Sequence, residues 1–190
     1  MSASADLHLT PELIIRAYRQ GLFPMADAVD DPETFWVDPQ MRGVMPLEDF
    51  HVPRRLARTI KRAPFDVRID RDFRQTIEAC RRASSDRPTS WINDDILFAY
   101  CKLHAMGYAH SVECWHGDRL VGGLYGVCIA GAFFGESMFS RQTDASKIAL
   151  TYLVARLKYA GFALLDCQFA TDHLARFGVK EIPRATYHAK

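Results

Sequence analysis

Residues 109–139 read AHSVECWHGDRLVGGLYGVCIAGAFFGESMF and contain three apolar runs in succession. The runs cover residues 109–115, 120–129 and 132–139. The first break contains His116-Gly117-Asp118 and the second contains Ala130-Gly131. Glycine beside a small or polar residue is typical of tight hairpin turns. The sequence therefore predicts three consecutive antiparallel strands joined by hairpins.

Helical patterns lie on both sides of these strands. Thr10-Pro11-Glu12 has the residue types of a helix start, and Gly21 ends that pattern. Further helices are predicted from Pro53 to Arg62, after the caps Asp70 and Asn93, from Asp144 or Ser146 to Gly161, and from His173 to Phe177. Short strands are predicted at 65–69 and 163–169, an irregular connection at 24–46 and a Ser-rich loop at 83–88. This order predicts an α+β (mixed α/β) fold with helices packed on a central, mostly antiparallel sheet.

The composition excludes several classes of protein. A chain of 190 residues with 48% apolar content can bury a sizeable core. The apolar run at 120–134 is too short and too rich in glycine for a membrane span, and residues 1–9 lack the pattern of a secretory signal. The chain is therefore expected in the cytoplasm. Five cysteines without a C-x-x-C pair suggest neither a disulfide framework nor a zinc site, and no metal is predicted.

Glu136 is the first candidate site residue, at the end of the third apolar run. Glycines at 122, 123, 126 and 135 remove side chains from part of the predicted sheet, and strand glycines often mark the close approach of a ligand. These residues predict a groove beside Glu136. The alternative is a structural carboxylate at a strand end, paired with Arg141 or solvent.

Asp166 and Gln168 are the second candidate pair, within the apolar run 163–169. Side chains two residues apart in a strand point to the same face, so the two are predicted to lie together. A buried carboxylate beside an amide needs partners or a function. The residues alone leave open whether the pair is catalytic or belongs to a structural hydrogen-bond network.

A basic stripe is predicted on the second helix. Arg54, Arg58, Lys61 and Arg62 recur at helical spacing, which is typical of a phosphate-contacting surface and also of an ordinary solvated face. Trp36, Trp91 and Trp115 are candidates either for base stacking or for the core.

Several longer strings resemble the bacterial leucyl/phenylalanyl-tRNA–protein transferases, in the order of that family. They are AYRQGLFP (17–24), HSVE (110–113), LVGGLYG (120–126), GESMFSR (135–141), ASK (145–147) and EIPR (181–184). The resemblance covers about residues 10–187. It implies an enzyme that transfers Leu or Phe, and sometimes Met, from aminoacyl-tRNA to proteins with an N-terminal Arg or Lys, marking them for N-end rule degradation.

The resemblance also implies an architecture and a mode of chemistry. The family has a small N-terminal domain, here expected at residues 1–62, and a GNAT-like catalytic domain, here expected at 63–190. Neither a metal nor an organic cofactor is implied.

Site residues follow from the same resemblance. Glu136 matches the acid that holds the aminoacyl α-amine, while Asp166 and Gln168 match the pair that handles the proton of the attacking amine. The side-chain pocket is expected from Leu124, Phe133, Met138, Leu150, Leu153 and Leu165. Tyr18 and Trp91 match residues near the tRNA end, whereas Met25 stands where the family often has Trp. Whether Asp166 and Gln168 act as a base or only orient the amine is left open.

Two alternatives come from other classes of protein. A GNAT-like N-acyltransferase that uses acyl-CoA would need a glycine-rich loop of free backbone amides before the helix that follows the strands, and residues 139–146 contain no glycine. An RNA-binding module without catalysis would use the basic stripe and leave Glu136 and Asp166 structural.

Overall fold

A mostly antiparallel sheet forms the centre of the fold in the computed structural model, which describes residues 9–82 and 89–189. The strands are β1 (Phe23–Met25), β2 (Phe35–Val37), β3 (Met41–Met45), β4 (Asp66–Ile69), β5 (Ala109–His116), β6 (Arg119–Ile129), β7 (Ala132–Ser140), β8 (Leu164–Gln168) and β9 (Lys180–Pro183). The main sheet has the order β4-β5-β6-β7-β8-β3-β9, and β1 pairs with β2 separately. Only β7 and β8 run parallel among the described strands. The three predicted central strands are confirmed, and the Ser-rich loop at 83–88 lies outside the described residues.

Helices cover both faces of the main sheet. They are α1 (Pro11–Tyr18), α2 (Arg54–Lys61), α3 (Phe73–Arg81), α4 (Asp94–Ala105), α5 (Ala145–Tyr159), α6 (Asp172–Ala175) and α7 (Arg184–His188). One core cluster lies under α1, α3 and α4 and includes Tyr125, whereas the other lies under α2 and α5 and includes the adjacent Leu124. Alternate residues of β6 therefore serve opposite faces, and the predicted α+β class is confirmed. Among the described residues, no helix has the length and apolar composition needed to cross a membrane.

Local capping chemistry sets most helix starts. Thr10 Oγ1 accepts a hydrogen bond from Leu13 N at 3.2 Å, and Asn93 Oδ1 accepts one from Ile96 N at 2.9 Å, as predicted. The predicted cap Asp70 is wrong by two residues. Asp72 caps α3, while Asp70 has a φ of +54° and accepts a hydrogen bond from Ser111 N.

The stretch 24–46 is not the irregular connection that was predicted. It contains the end of β1 and all of β2 and β3, and β3 lies between β8 and β9. Strand β3 contains Arg42 and Gly43, which interrupt the alternation of apolar residues by which strands are recognised in a sequence. Its partners are more than a hundred residues away in the chain, so no local pattern marks it.

The expected domain boundary at residue 62 stays a prediction. Strand β3 comes from the N-terminal side of that boundary and is nevertheless part of the main sheet. Helix α2, from the same side, contributes Leu56 to the core cluster beneath α5. The N-terminal segment is thus in direct contact with the main sheet.

A half-exposed ion pair at the sheet edge predicts a pH-dependent contribution to stability. His110 Nδ1 lies 2.7 Å from Asp70 Oδ2, and this hydrogen bond raises the pKa of His110 above its ordinary value of 6.5. Burial raises the pKa of Asp70, but its bonds to His110 and Ser111 outweigh that effect and lower it overall. The pair should contribute fully below the unfolded pKa of histidine, and this contribution is lost as pH rises through the folded pKa.

The measurement is the free energy of urea unfolding of the parent and of His110→Asn between about pH 5 and 8. We expect the parent to be more stable by about 0.5–1 kcal/mol at the acidic end, which is the scale of an exposed ion pair, and the difference to shrink at the alkaline end. His104, whose Nδ1 lies 3.9 Å from Asp70 Oδ1, is unchanged in both proteins. A difference that is constant with pH would contradict the assignment.

Candidate active site

A cavity of about 950 Å³ lies between β7, the beginning of α5 and the end of β8. Its apolar wall includes five of the six predicted pocket residues, which are Leu124, Met138, Leu150, Leu153 and Leu165. The sixth, Phe133, is buried, and its ring lies against Gly126. Glu136 and Gln168 also line the cavity. The structure therefore brings an apolar surface and these two predicted polar residues together.

A cavity does lie beside Glu136, as predicted, but the glycines of β6 do not form it. A Cβ at Gly122 would collide with the Cβ of Ala145 in α5, and a Cβ at Gly126 would collide with the Phe133 ring. These glycines permit close packing inside the protein. Gly135, by contrast, does line the cavity.

Glu136 lies in a set of hydroxyl and amide donors at the polar end of the cavity. Its Oε1 accepts from Tyr18 at 2.5 Å and from Gln168 Nε2 at 3.1 Å, and its Oε2 accepts from Tyr100 at 3.2 Å. The hydroxyls of Tyr18 and Tyr100 lie 2.6 Å apart. The alternative pairing with Arg141 is not present, because that guanidinium donates to Leu120 O and lies over the Phe139 ring.

The electrostatics of this cluster favour a bound cation. Burial raises the pKa of the Glu136 carboxyl to about 8, and the nearby charge of Asp166 contributes in the same direction. Burial also raises the pKa of Tyr18 and Tyr100 well above the ordinary tyrosine value, so both remain hydrogen-bond donors. An ammonium group beside Glu136 would supply the positive charge that a carboxylate in this position lacks.

Asp166 lies behind the cavity and does not line it. It is fully buried, and its oxygens accept hydrogen bonds from Arg42, Tyr187 and the backbone N–H of Gln168. Gln168 has a φ of +56°, so the regular strand alternation stops there. The predicted shared face is therefore wrong for this pair, because Gln168 faces the cavity and Asp166 faces the protein interior.

Of the two predicted tRNA-end residues, only Tyr18 contacts the polar cluster around Glu136. Tyr18 is buried in α1 with its hydroxyl on Glu136, and Trp91 is partly buried with its carbonyl accepting from Ala26 N at 3.2 Å. Trp115 is a core residue whose indole donates to Glu113. The contacts of Tyr18 and Trp91 with tRNA stay predictions.

The predicted basic stripe is exposed. Arg54, Arg58, Lys61 and Arg62 all face solvent, and none of them forms an ion pair with another described residue. Leu56 and Ile60 pack inward, as predicted. The helix thus presents uncompensated positive charge on one side.

Three residues around the site were missed by sequence reasoning. Tyr100 occupies an ordinary core position of α4, Tyr187 lies near the end of the chain, and Arg42 lies in the unrecognised strand β3. The available signal was a cation at 42 between apolar neighbours, which requires an acidic partner when it is buried.

The beginning of α5 does not form a cradle for a pyrophosphate. The backbone N–H of Ala145 donates to Gln142 O at 3.1 Å, and that of Ser146 donates to Ser140 Oγ at 3.2 Å. Lys147 is paired with Asp144 at 2.7 Å. These groups are already satisfied within the protein, which argues against the acyl-CoA alternative.

Comparison with known proteins identifies close relatives. The family model described as leucyl/phenylalanyl-tRNA protein transferase matches residues 44–190, and the model for its N-terminal domain matches residues 8–40. Two proteins named leucyl/phenylalanyl-tRNA–protein transferase are similar over most of their length. The one from Phenylobacterium zucineum (strain HLK1) is 58% identical over 93% of this chain and 80% of the relative. The one from Paramagnetospirillum magneticum (strain AMB-1) is 54% identical over 94% of this chain and 86% of the relative.

Solved structures give looser matches. A putative acetyltransferase of the GNAT family from Desulfovibrio desulfuricans aligns with a TM-score of 0.37 and 16% identity over 53% of this chain and 71% of its own. The structure of L-PGS from Bacillus licheniformis aligns with a TM-score of 0.39 and 14% identity over 86% of this chain and 55% of its own. These structural similarities are too low to assign a role to any residue of the site.

Proposed function

The chain belongs to the leucyl/phenylalanyl-tRNA protein transferase family, and we propose that it transfers Leu or Phe, and also Met, from aminoacyl-tRNA to proteins with an N-terminal Arg or Lys. The reaction would take place in the cytoplasm, where the added residue marks the acceptor protein for N-end rule degradation. The observation that carries this proposal is one cavity in which an apolar wall and the Glu136 carboxylate lie side by side.

The donor amino acid fits this cavity by its two distinct ends. Leu150, Leu153 and Leu165 offer an apolar surface to a Leu, Phe or Met side chain. The free α-ammonium of the aminoacyl ester would pair with Glu136, whose carboxylate is oriented by Tyr18 and Tyr100. A charge-assisted hydrogen bond in a partly buried site is stronger than a neutral one, so this contact would select a donor with a free amine.

The acceptor amine attacks the ester carbonyl carbon of the donor. The new bond joins the acceptor nitrogen to that carbon, the ester carbon–oxygen bond breaks, and the tRNA ribose oxygen leaves with the proton. Gln168 donates its Nε2 to Glu136, which leaves its Oε1 available to orient the incoming amine. A neutral amide oxygen is a weak base, so orientation is the role that suits Gln168. Asp166 would hold Gln168 in place by accepting a hydrogen bond from the Gln168 backbone N–H.

The tRNA body would bind across the exposed cations of α2. Arg54, Arg58 and Lys61 face solvent on successive turns, where phosphate oxygens can reach them. Such contacts position the substrate without reading its sequence. With this assignment, the stripe would bind Leu-, Phe- and Met-tRNA equally well. Discrimination between amino acid side chains would occur in the cavity.

Transfer of labelled amino acid tests the function directly. We expect the purified protein to move labelled Leu or Phe from charged tRNA to a peptide that begins with Arg or Lys. A peptide with the same sequence and an acetylated N-terminus should accept nothing, because its nitrogen is no longer a nucleophile.

Two other results would identify the alternatives. Acetylation of the Arg peptide with acetyl-CoA would indicate the acyl-CoA-dependent enzyme. Tight binding of tRNA without any transfer would indicate the RNA-binding module, and either result would contradict the proposal.

A further inference from the structure

A buried hydrogen-bond network connects β3 and α7, through Asp166, to Gln168 at the edge of the cavity. Arg42 in β3 is 1% exposed and Asp166 in β8 is 0% exposed. Arg42 Nε lies 3.0 and 3.1 Å from the two Asp166 oxygens, and Arg42 Nη2 lies 2.6 Å from Oδ2. The Tyr187 hydroxyl of α7 donates to the same Oδ2 at 2.8 Å.

Arg42 is itself held on every side. Its Nη1 donates to the carbonyl of Gly21 at 2.8 Å. Its guanidinium lies between the rings of Phe23 and Tyr187, at 4.7 and 4.5 Å from their centroids. A guanidinium stacked in this way keeps its planar donors in one orientation, which a lysine ammonium cannot reproduce.

Asp166 has no acceptor position left for a substrate proton. One oxygen accepts from Arg42 Nε and from the Gln168 N–H, and the other accepts from Arg42 and from Tyr187. A carboxylate whose two oxygens already accept from these donors is held in one orientation by them. Such a group is suited to holding a neighbour in place.

The neighbour that Asp166 holds is Gln168. The Gln168 N–H donates to Asp166 Oδ1 at 2.8 Å, and Gln168 has a φ of +56°, a left-handed conformation that residues other than glycine rarely adopt. Such a conformation persists only when surrounding contacts impose it. With this backbone, the side-chain amide of Gln168 reaches Glu136 at 3.1 Å.

We propose that Arg42 and Tyr187 are positioning residues for the transfer step, acting through Asp166 to hold Gln168 in its left-handed conformation at the cavity. The order of action runs from Arg42 and Tyr187 to the Asp166 carboxylate, then to the Gln168 backbone and finally to its side-chain amide. Neither Arg42 nor Tyr187 lines the cavity, so neither touches substrate. This inference rests on the proposed function only in its kinetic part.

Tyr187→Phe tests the network with the least disturbance, because it removes one hydroxyl and keeps the ring over Arg42. We expect kcat for transfer to fall about tenfold, the equivalent of one hydrogen bond to a charged group, with KM for aminoacyl-tRNA nearly unchanged. In a Gln168→Ala background the same change should have almost no further effect, because residues that act as a unit are not additive. Tyr152→Phe, at an exposed tyrosine of α5, is the matched control and should leave kcat unchanged.

A second measurement needs no substrate. Hydrogen exchange of the Gln168 backbone amide should accelerate in Tyr187→Phe and further in Arg42→Lys, while amides of the central strands keep their protection. The Tyr187→Phe variant remains informative even if Arg42→Lys fails to fold.

Each outcome has one meaning. Unchanged exchange at Gln168 in Tyr187→Phe would overturn this proposal, whatever the enzyme does. Multiplying effects in the Tyr187→Phe/Gln168→Ala protein, or a loss confined to KM for the donor, would overturn it as well. A parent protein that transfers no Leu, Phe or Met would instead overturn the proposed function.

Discussion

Replacing Glu136 with Gln is expected to reduce kcat/KM for aminoacyl-tRNA by about 10²–10³, because an ammonium in a partly buried site loses its counter-charge. Glutamine keeps the size of the side chain and can still meet the hydroxyls of Tyr18 and Tyr100. The KM for the acceptor peptide should change little, since the acceptor amine is assigned to Gln168. Michaelis constants for donor and acceptor, measured on parent and variant, give the comparison.

The raised pKa of the Glu136 carboxyl also predicts how the use of aminoacyl-tRNA depends on pH. Its raised pKa, about 8, means that donor use by the parent should rise with pH until the carboxylate is formed. The ratio of parent to Glu136→Gln should rise as the Glu136 carboxylate forms. It should fall again at higher pH as the donor α-ammonium, whose ordinary pKa is about 7.7–8.0, loses its proton. A ratio that does not vary with pH would contradict an ionised Glu136 at the donor amine.

Two controls isolate the charge that Glu136 is assigned to recognise. N-acetylated Phe-tRNA has no ammonium, so parent and variant should use it almost equally poorly. Glu181→Gln makes the same change at an exposed residue of β9 and should leave the donor constants unaltered. A loss confined to the acceptor side would assign Glu136 to the N-terminal residue of the target protein instead.

Neutralising the α2 stripe should have the second large effect. Changing Arg54, Arg58, Lys61 and Arg62 to Gln is expected to weaken tRNA binding by about 10²–10³ at low salt, since each cation that contacts a phosphate releases counterions. The loss should be equal for Leu-, Phe- and Met-tRNA. Glutamine is chosen because it preserves helix propensity.

Salt dependence separates local contacts from overall charge. In the α2 variant the slope of log affinity against log salt should fall by roughly one unit for each lost contact. A matched variant with Arg68, Arg74, Lys102 and Arg119 changed to Gln lowers the formal net charge of +1 by the same four units. That variant should retain most of the affinity and the slope. Equal losses in both variants would mean that only net charge matters and that the stripe is a solvated face.

The candidate site was only partly accessible to sequence reasoning. Glu136 and Gln168 were identified and do meet in the cavity, where Gln168 Nε2 donates to Glu136. Asp166 was identified, but the prediction that it shares a face with Gln168 was wrong, because strand alternation fails at Gln168, where φ becomes positive. At that turn the Gln168 N–H donates to the Asp166 side chain, a contact that strand periodicity does not predict.

Arg42 and Tyr187 show why the rest could not be predicted. Arg42 bonds to Asp166 across 124 positions of chain, and Tyr187 bonds to the same carboxylate from α7. No periodicity in the sequence relates residues so far apart. The residues adjacent to each of them in the chain do not indicate a shared buried partner. Only the placement of β3 between β8 and β9 brings them together.

By itself, the sequence determined the features that depend on neighbours in the chain. The hairpins of residues 109–139, the caps at Thr10 and Asn93, and the inward face of α2 all follow from chemistry within a few residues. The tertiary structure alone decided which strands flank β8. It also decided that the Glu136 carboxylate faces the cavity, whereas the Asp166 carboxylate pairs with Arg42. The physical reason is that a buried charge takes whatever partner the folded chain brings within hydrogen-bond distance, and that partner is set by the packing of distant elements.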